Sequence, residues 1–282
     1  MTDFRVGRID FINTAPVYYG IETGRVACPG RTVLGPPARL NRLLAEGAVQ
    51  VSAVSSAAYA WNYPRWLLLP DLSISARGPV RSVVLRLARE PERGRPFRAG
   101  LTRKSGTAQA LTRILLEERF GALPECREVN LDEGVPEGFD GVLVIGDDAL
   151  RLSSLEERYP GVIDLGEAWL EWTGLPFVFG LWAADKAFAE RHPAEAAAVA
   201  AALRRSKEEG RRNLEAAAGR AAVRSGVDRG ACRAYLEHIE YDLGPDHRAA
   251  LALFYGKLAA RGEAPPGVEL RFVPSSGEAR LG

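Results

Sequence analysis

Short polar side chains follow several apolar runs of this 282-residue sequence, at points where the chain would leave a strand. In VGRIDFINTAPV, residues 6–17, Asn13 and Thr14 come after the apolar run and just before Pro16. Such side chains can cap a helix, and they can equally bind a ligand, because a strand-to-helix turn points donors beyond the strand. Ser55 with Ser56, Ser105 with Thr107, and Asp147 repeat the pattern. Neutral amide and hydroxyl donors at several strand ends indicate a cleft that binds a small anion.

Strands and helices alternate along the part of the chain that carries these groups. The predicted strands are residues 4–9, 49–54, 80–87, 98–101, 141–145 and 177–183. Helical patterns follow most of them, and three helices are predicted over 193–218, 232–239 and 246–260. We expect the tail after Gly262 to be only partly ordered. The alternation predicts an α/β fold with parallel, doubly wound sheets, which bind ligands beyond the carboxyl ends of their strands.

Composition favours a small-molecule partner. The 37 Lys and Arg residues nearly balance the 36 Asp and Glu residues, so no net charge attracts nucleic acid or an anionic membrane. Cys28, Cys126 and Cys232 are widely spaced, which predicts reduced thiols and no zinc cluster. The N-terminal residues show no export signal, and no apolar run is long enough to span a membrane, so we expect a soluble, cytoplasmic protein. The sequence does not indicate an oligomeric state.

Six motifs in order resemble one enzyme family. They are GRIDFINTAPVYYG, AVSSAAYAWN, LPDLSISARGPVRSVVL, LTRKSGTAQALTRILL, LVIGDDAL and DLGEAWLEWTGLPFVFGLWA. Together they are similar to the successive motifs of the chorismate dehydratases, which open the futalosine branch of menaquinone biosynthesis. The resemblance covers about residues 5–185, and the helical C-terminal third matches only in length and character.

The resemblance implies a two-lobed fold like that of type II periplasmic binding proteins, with the ligand cleft between the lobes. It divides the chain into a first lobe of residues 1–88 and 178–282 and an inserted second lobe of residues 89–177. Strands near Val84 and near Phe177 would cross between them as a hinge. The implied reaction removes water from chorismate to give 3-[(1-carboxyvinyl)oxy]benzoate, without a cofactor or a metal.

Chorismate is a small dianion, so its pocket needs several N–H and O–H donors. Serines and threonines at helix starts supply donors without burying full charges. Gly106 would let the backbone approach the ligand closely, and Trp169, with Trp172 and Phe177, could form a wall for the ring or belong to the core. The expected substrate contacts are Asn13, Thr14, Ser55, Ser56, Ser82, Ser105, Gly106, Thr107 and Trp169. Asp147 would repel a dianion, and we expect it to be structural.

The sequence offers no obvious general base. His192, His238 and His247 all fall in the C-terminal helical region, away from the polar strand ends, and Asp10, Asp147 and Asp148 would be repelled by a dianion. The resemblance implies that the enolpyruvyl carboxylate of the substrate removes the proton. Asn13 would then be the catalytic residue, because a neutral amide can hold that group in a reactive pose.

Two other functions remain open. A transporter's solute-binding protein would share the fold but should carry an export signal. The later enzyme of the same pathway, which makes 1,4-dihydroxy-6-naphthoate, would differ in the N-terminal loop. The turn TRKSGT resembles an anion-binding loop, but it lacks the spacing of a nucleotide-binding P-loop.

Overall fold

The structure, a computed structural model, describes residues 3–134, 136–150 and 154–274. Contacts divide the chain into two units, one of Met1–Ser75 with Val178–Gly282 and one of Ala76–Phe177. Within these described ranges, ten strands form two five-stranded sheets. The strands are β1 (Arg5–Arg8), β2 (Arg31–Leu34), β3 (Val51–Ser55), β4 (Trp66–Ala76), β5 (Val83–Leu87), β6 (Pro96–Thr102), β7 (Leu123–Val129), β8 (Gly141–Ile145), β9 (Gly161–Asp164) and β10 (Phe177–Asp185).

The sheet of the first unit has the order β2-β1-β3-β10-β4. β1 runs parallel to both β2 and β3, with Gly7 opposite Ser52. β10 runs antiparallel to β3 and places Gly180 opposite Ser55. The predicted α/β class is therefore confirmed, but the sheet is mixed rather than wholly parallel, because β10 enters it from the opposite direction.

The sheet of the second unit has the order β7-β6-β8-β5-β9. β6 is parallel to β7 and β8, whereas β5 is antiparallel to β8 and β9. Because β5 pairs on both sides within this sheet, the observed division falls after Ser75 rather than after the expected residue 88. The crossing expected near Val84 accordingly falls at the end of β4.

Eleven α-helices surround the sheets in the described part of the chain. They are α1 (Ala15–Glu22), α2 (Pro37–Ala45), α3 (Ser56–Asn62), α4 (Gly106–Ile114), α5 (Ser154–Arg158), α6 (Leu165–Thr173), α7 (Lys186–Arg191), α8 (Pro193–Arg212), α9 (Leu214–Ser225), α10 (Arg229–Leu236) and α11 (Pro245–Ala260). Among these helices, none combines the length and the apolar character that a membrane span needs.

The expected helix over 193–218 is two helices, which is a correction to the sequence prediction. α8 ends before Asn213, whose backbone leaves the helical region at φ −117° and ψ 41°. The Asn213 side chain donates to the Glu209 carbonyl at 2.8 Å, a local bond that competes with the helix. The chain then turns into α9, which contacts the turn that carries Asn13.

Part of the C-terminal tail is held against the first unit. Leu68 of β4 donates to Arg271 O at 2.7 Å, and Val273 donates to Leu68 O at 2.9 Å. Tyr59 OH also donates to Glu269 O at 2.8 Å. The expectation of a partly ordered tail does not hold for residues 269–273, because their backbone groups pair with β4 and Tyr59. Residues 275–282, Ser275 and Ser276 included, lie outside the described residues.

Candidate functional site

The turn after β1 holds Asn13 by bonds that do not involve its own side chain. Thr14 Oγ1 lies 2.9 Å from both Ile9 O and Phe11 O, and it is positioned to donate to these carbonyls. Thr14 occupies the N-cap position of α1, yet its side chain makes no capping bond. The capping reading of Asn13 and Thr14 is thus not what the structure has. Thr14 fixes the turn, and within the described residues Asn13 Oδ1 is not used as a cap.

Six buried side-chain atoms of the first unit have no hydrogen-bond partner within the described residues: Arg8 Nε, Asn13 Oδ1, Asn41 Oδ1, Ser56 Oγ, Trp66 Nε1 and Tyr241 OH. Two of the six, Asn13 Oδ1 and Ser56 Oγ, belong to residues that follow neighbouring strands. Asn13 follows β1 and Ser56 follows β3, and these neighbouring strands are parallel, so both residues lie at the same edge of the sheet. Leaving a buried polar atom unpaired costs about 1–3 kcal/mol. Such a pair at one sheet edge indicates a place where a ligand supplies the missing bonds.

Ser55 lies at the same edge of the sheet, and its hydroxyl is not used to cap the following helix. It is the N-cap residue of α3, but its side chain makes no capping bond. Its half-buried hydroxyl can therefore turn toward a ligand. The carbonyl of Ser56 is already bound, since it accepts from Tyr255 OH at 3.0 Å. This bond fixes the backbone at the start of α3 and leaves the Ser56 hydroxyl available.

Ion pairs surround the turn that carries Asn13. Asp10 is bound by Arg224 of α9 at 3.0 Å and by Arg8 at 3.4 Å. Arg224 and Arg8 also bind Glu22, whose side chain is only 7% exposed. Because Asp10 is held between two guanidinium groups, it is a poor candidate for a general base. The C-terminal helices, which carry none of the sequence motifs, thus anchor the turn through Arg224.

Ser105, Gly106 and Thr107 lie together after β6 in the second unit. Ser105 is the N-cap of α4, and its Oγ accepts from Ala108 N at 3.2 Å. Thr107 is 1% exposed and lies in the first turn of the same helix. For Ser105 the capping role is therefore real, while its hydroxyl hydrogen is still able to reach a ligand. Gly106 begins α4, with its backbone N–H in the first turn.

Ser82 reaches the same edge of the second sheet from the opposite direction. It precedes β5, and β5 is antiparallel to β8 with Val83 opposite Ile145. The Ser82 carbonyl accepts from Gly146 N, just beyond β8, at 2.6 Å. The strand predicted over residues 80–87 includes Ser82, whereas in the structure Ser82 comes just before β5, at the amino end of that strand. That end adjoins the carboxyl end of β8, so Ser82 lies beside the Gly146–Asp148 turn.

Charges at this edge are paired. Lys104 Nζ bonds Asp148 at 2.7 Å and Asp132 at 3.2 Å. Burial alone would lower the pKa of Lys104, but the hydrogen bonds that its ammonium group donates to Asp148 and Asp132 outweigh burial and raise that pKa. Lys104 therefore stays protonated, and it offsets the charge of Asp148 that would otherwise repel a bound anion.

We expect ATP and GTP to give no binding heat in calorimetry, up to millimolar nucleotide. Residues 102–107 lack the P-loop spacing, and Lys104, the lysine that would reach a phosphate, is held by two carboxylates. Titration with chorismate under the same conditions is the positive control. Micromolar nucleotide affinity would contradict this assignment of the turn.

The aromatic residues pack into the second unit. Trp169 is fully buried, with its ring centre 5.9 Å from that of Trp172 and 5.1 Å from that of Phe177, both in edge-on contact. These contacts account for Trp169 as a core residue, so its role as a wall for the substrate ring stays a prediction. Within the described residues, no group of three or more His, Cys, Asp or Glu side chains could hold a metal ion.

Asp164 was not among the residues predicted from the sequence, and the structure connects it to the two residues that precede Ser82. Its carboxylate caps α6 and also accepts from the N–H groups of Val80 and Arg81. The Asp-Leu-Gly-Glu stretch is a recognisable helix start, and that signal was available. No feature of the sequence indicates the bond between Asp164 and a segment more than eighty residues earlier.

Comparisons with known proteins agree with the resemblance. A model of a family described as menaquinone biosynthesis matches residues 4–260. A relative from Thermus thermophilus named chorismate dehydratase is 33% identical over 270 residues, covering 90% of this chain and 94% of the relative.

Solved structures show the fold. A protein from Archaeoglobus fulgidus matches with a TM-score of 0.70 and 21% identity, covering 92% of this chain and 98% of that chain. The periplasmic aliphatic sulphonate binding protein SsuA from Escherichia coli matches with a TM-score of 0.66 and 12% identity, covering 97% and 92% respectively. The predicted likeness to periplasmic binding proteins is confirmed.

Proposed function

The chain belongs to the menaquinone biosynthesis family, and from this membership we propose that it is a chorismate dehydratase, a hydro-lyase. It would convert chorismate to 3-[(1-carboxyvinyl)oxy]benzoate. The related enzyme from Thermus thermophilus, which aligns over nearly the whole chain, supports the activity.

The observation that carries the proposal is the pair of unbound atoms Asn13 Oδ1 and Ser56 Oγ. An amide offers both an acceptor and donors, and a hydroxyl offers both as well. Chorismate presents a ring hydroxyl that can donate and two carboxylates that can only accept. A buried amide and a buried hydroxyl therefore suit both kinds of group without placing a like charge beside the dianion.

The proposed step is an elimination within the bound substrate. The ring C–H proton next to the ether oxygen moves to the enolpyruvyl carboxylate, its electron pair forms the new ring double bond, and the ring hydroxyl departs. That proton then reaches the departing hydroxyl, so the products are the aromatic dianion and one water molecule. Asn13 would hold the enolpyruvyl group close to the C–H bond, and such orientation can supply several kcal/mol of the barrier.

Donors of the second unit would bind the dianion without a free charge. Ser82, Ser105 and Thr107 lie at the edge of the second sheet, and the Lys104–Asp148 pair leaves that edge without an uncompensated carboxylate at position 148. Hydroxyls and the first-turn N–H groups of α4 are suited to carboxylate oxygens. We propose that these groups contribute to the affinity for chorismate.

Purified protein incubated with chorismate and no added cofactor is expected to form the aromatic product, followed by its ultraviolet absorbance and identified by mass spectrometry. Heat-denatured protein is the control for spontaneous breakdown of chorismate. Folded protein that binds chorismate but forms no product would contradict the proposal. That outcome would favour a binding role, as in the sulphonate-binding protein of the same fold. Formation of 1,4-dihydroxy-6-naphthoate from its own precursor would instead identify the later enzyme of the pathway.

A further inference from the structure

The Asp164 carboxylate binds more backbone groups than a helix cap requires. Its Oδ1 accepts from Gly166 N at 2.9 Å and Glu167 N at 3.2 Å, which caps α6. The same oxygen accepts from Val80 N at 3.0 Å, and Oδ2 accepts from Arg81 N at 2.6 Å. Because an N-cap needs only the first two bonds, the other two serve the 80–82 segment.

That segment adopts a conformation that needs outside support. Arg81 has a φ of 63°, in the left-handed region that residues other than glycine rarely occupy. Such a conformation persists only when its surroundings impose it. The bond from Arg81 N to Asp164 Oδ2 is placed to impose it. The next residue is Ser82, so the direction in which the Ser82 side chain leaves the backbone depends on this bond.

The segment also lies directly against the first turn of α6. A Cβ atom placed on Gly166 would come within 2.6 Å of Gly78 O and 3.3 Å of Val80 Cβ. Only glycine at position 166 allows this approach without a shift of the backbone. Packing and hydrogen bonding therefore fix the same segment through the same helix start.

We infer that Asp164 is a positioning residue for the reaction. Its carboxylate holds Arg81 in the left-handed conformation and thereby places Ser82 for contact with the substrate. This inference rests on the proposed function. It assigns the aspartate of the DLGE stretch a role in activity beyond the stability of α6.

The substitution Asp164→Asn separates the two roles. The amide oxygen can keep the three bonds made by Oδ1, whereas the amide NH₂ in place of Oδ2 would face the N–H of Arg81 as a second donor. We expect kcat/KM for chorismate to fall at least tenfold, with the circular dichroism spectrum unchanged. The amide of Arg81 should exchange its hydrogen faster than in the unsubstituted protein.

Asp185→Asn is the matched control. Asp185 caps α7 through one bond from Phe188 N, at 2.8 Å. It lies beyond the amino end of β3, whereas Ser55 lies at the carboxyl end of that strand. Its substitution should leave kcat/KM within twofold. If Asp185→Asn lowers the melting temperature as much as Asp164→Asn does but keeps its activity, the loss of a helix cap alone does not account for the lower activity of Asp164→Asn.

Arg81→Gly tests the mechanism, because glycine adopts the left-handed conformation without support. In the Arg81→Gly background, the loss of kcat/KM caused by Asp164→Asn should shrink at least threefold. Equal losses in both backgrounds, or an unchanged kcat/KM in Asp164→Asn, would overturn the inference. Failure of the unsubstituted protein to convert chorismate would overturn the proposed function instead, and amide exchange at Arg81 would still report whether Asp164 holds the segment.

Discussion

Asn13→Asp is expected to lower kcat/KM for chorismate by about a thousandfold, to below detection, while the protein stays folded. The substitution places a carboxylate where the substrate already carries two. At about 4 Å, with the effective dielectric constant of about 20 that describes partly buried sites, that repulsion is about 4 kcal/mol. Each 1.36 kcal/mol changes a rate tenfold, which gives the expected size. Steady-state kinetics with circular dichroism on the same sample measures both parts of the prediction.

Asn41→Asp is the matched control for this experiment. Asn41 Oδ1 is also buried without a partner within the described residues, but it lies in the second turn of α2 rather than at a strand end. The same change of charge at Asn41 should reduce stability and leave kcat within about threefold, roughly 0.7 kcal/mol. A loss of activity in both variants would mean that a new buried charge harms this unit wherever it lies.

Histidines provide the second comparison. Their ring nitrogens contact groups of the helical region: His238 Nδ1 lies 2.6 Å from Ala234 O, and His247 Nε2 lies 2.8 Å from Glu240 Oε2. His192 Nδ1 is 4.0 Å from Glu195 Oε1. Single replacement of each should keep kcat within about tenfold, about 1.4 kcal/mol or less. A folded but inactive histidine variant, or a near-normal Asn13→Asp enzyme, would show that the catalytic group lies elsewhere.

The sequence alone could locate the polar strand ends because the preceding strands are buried and apolar. β3 and β8 show this clearly, since four residues of β3 and all five of β8 are buried. The sequence does not predict β2 and β7 as strands, because most of their residues are exposed and neither strand has more than two apolar residues in a row. β4 was missed for a different reason. Its Pro70 and Asp71 indicate a turn, and the structure instead continues the strand through Asp71 at a φ of 58°.

Long-range pairing explains what the sequence could not show about the site. Nothing in the residues around Ser82 indicates that β5 runs antiparallel to β8, which brings Ser82 to the edge beyond β8. The bond between Asp164 and Arg81 joins residues 83 positions apart. The positions of the hydroxyl residues in the sequence predicted candidate substrate contacts. Only the folded structure shows which hydroxyls already bind other groups of the protein, as that of Thr14 does.

The contact between α1 and α8 should be the most sensitive to an added methyl group. A Cβ atom on Gly210 of α8 would lie 2.1 Å from Pro16 O and 2.6 Å from Pro16 C. Both are backbone atoms, so no side chain can rotate away and the two helices must separate. Overpacking of a core typically costs 1–3 kcal/mol of stability. We expect Gly210→Ala to lower the free energy of unfolding, measured with urea, by about 3 kcal/mol.

The loss of stability expected for Gly210→Ala is opposite in sign to the effect of helix propensity, which favours alanine over glycine. Alanine favours a helix over glycine by about 1 kcal/mol, and Gly256→Ala in α11 should show that gain, because no atom lies within 4 Å of the added Cβ. The two variants make the same chemical change in two helices, so their difference isolates the steric contact with Pro16. Since α1 begins at Ala15, two residues after Asn13, separation of α1 from α8 should also move Asn13 and lower kcat. Gly210→Ala with unchanged stability and unchanged kcat would mean that α1 and α8 do not pack this closely.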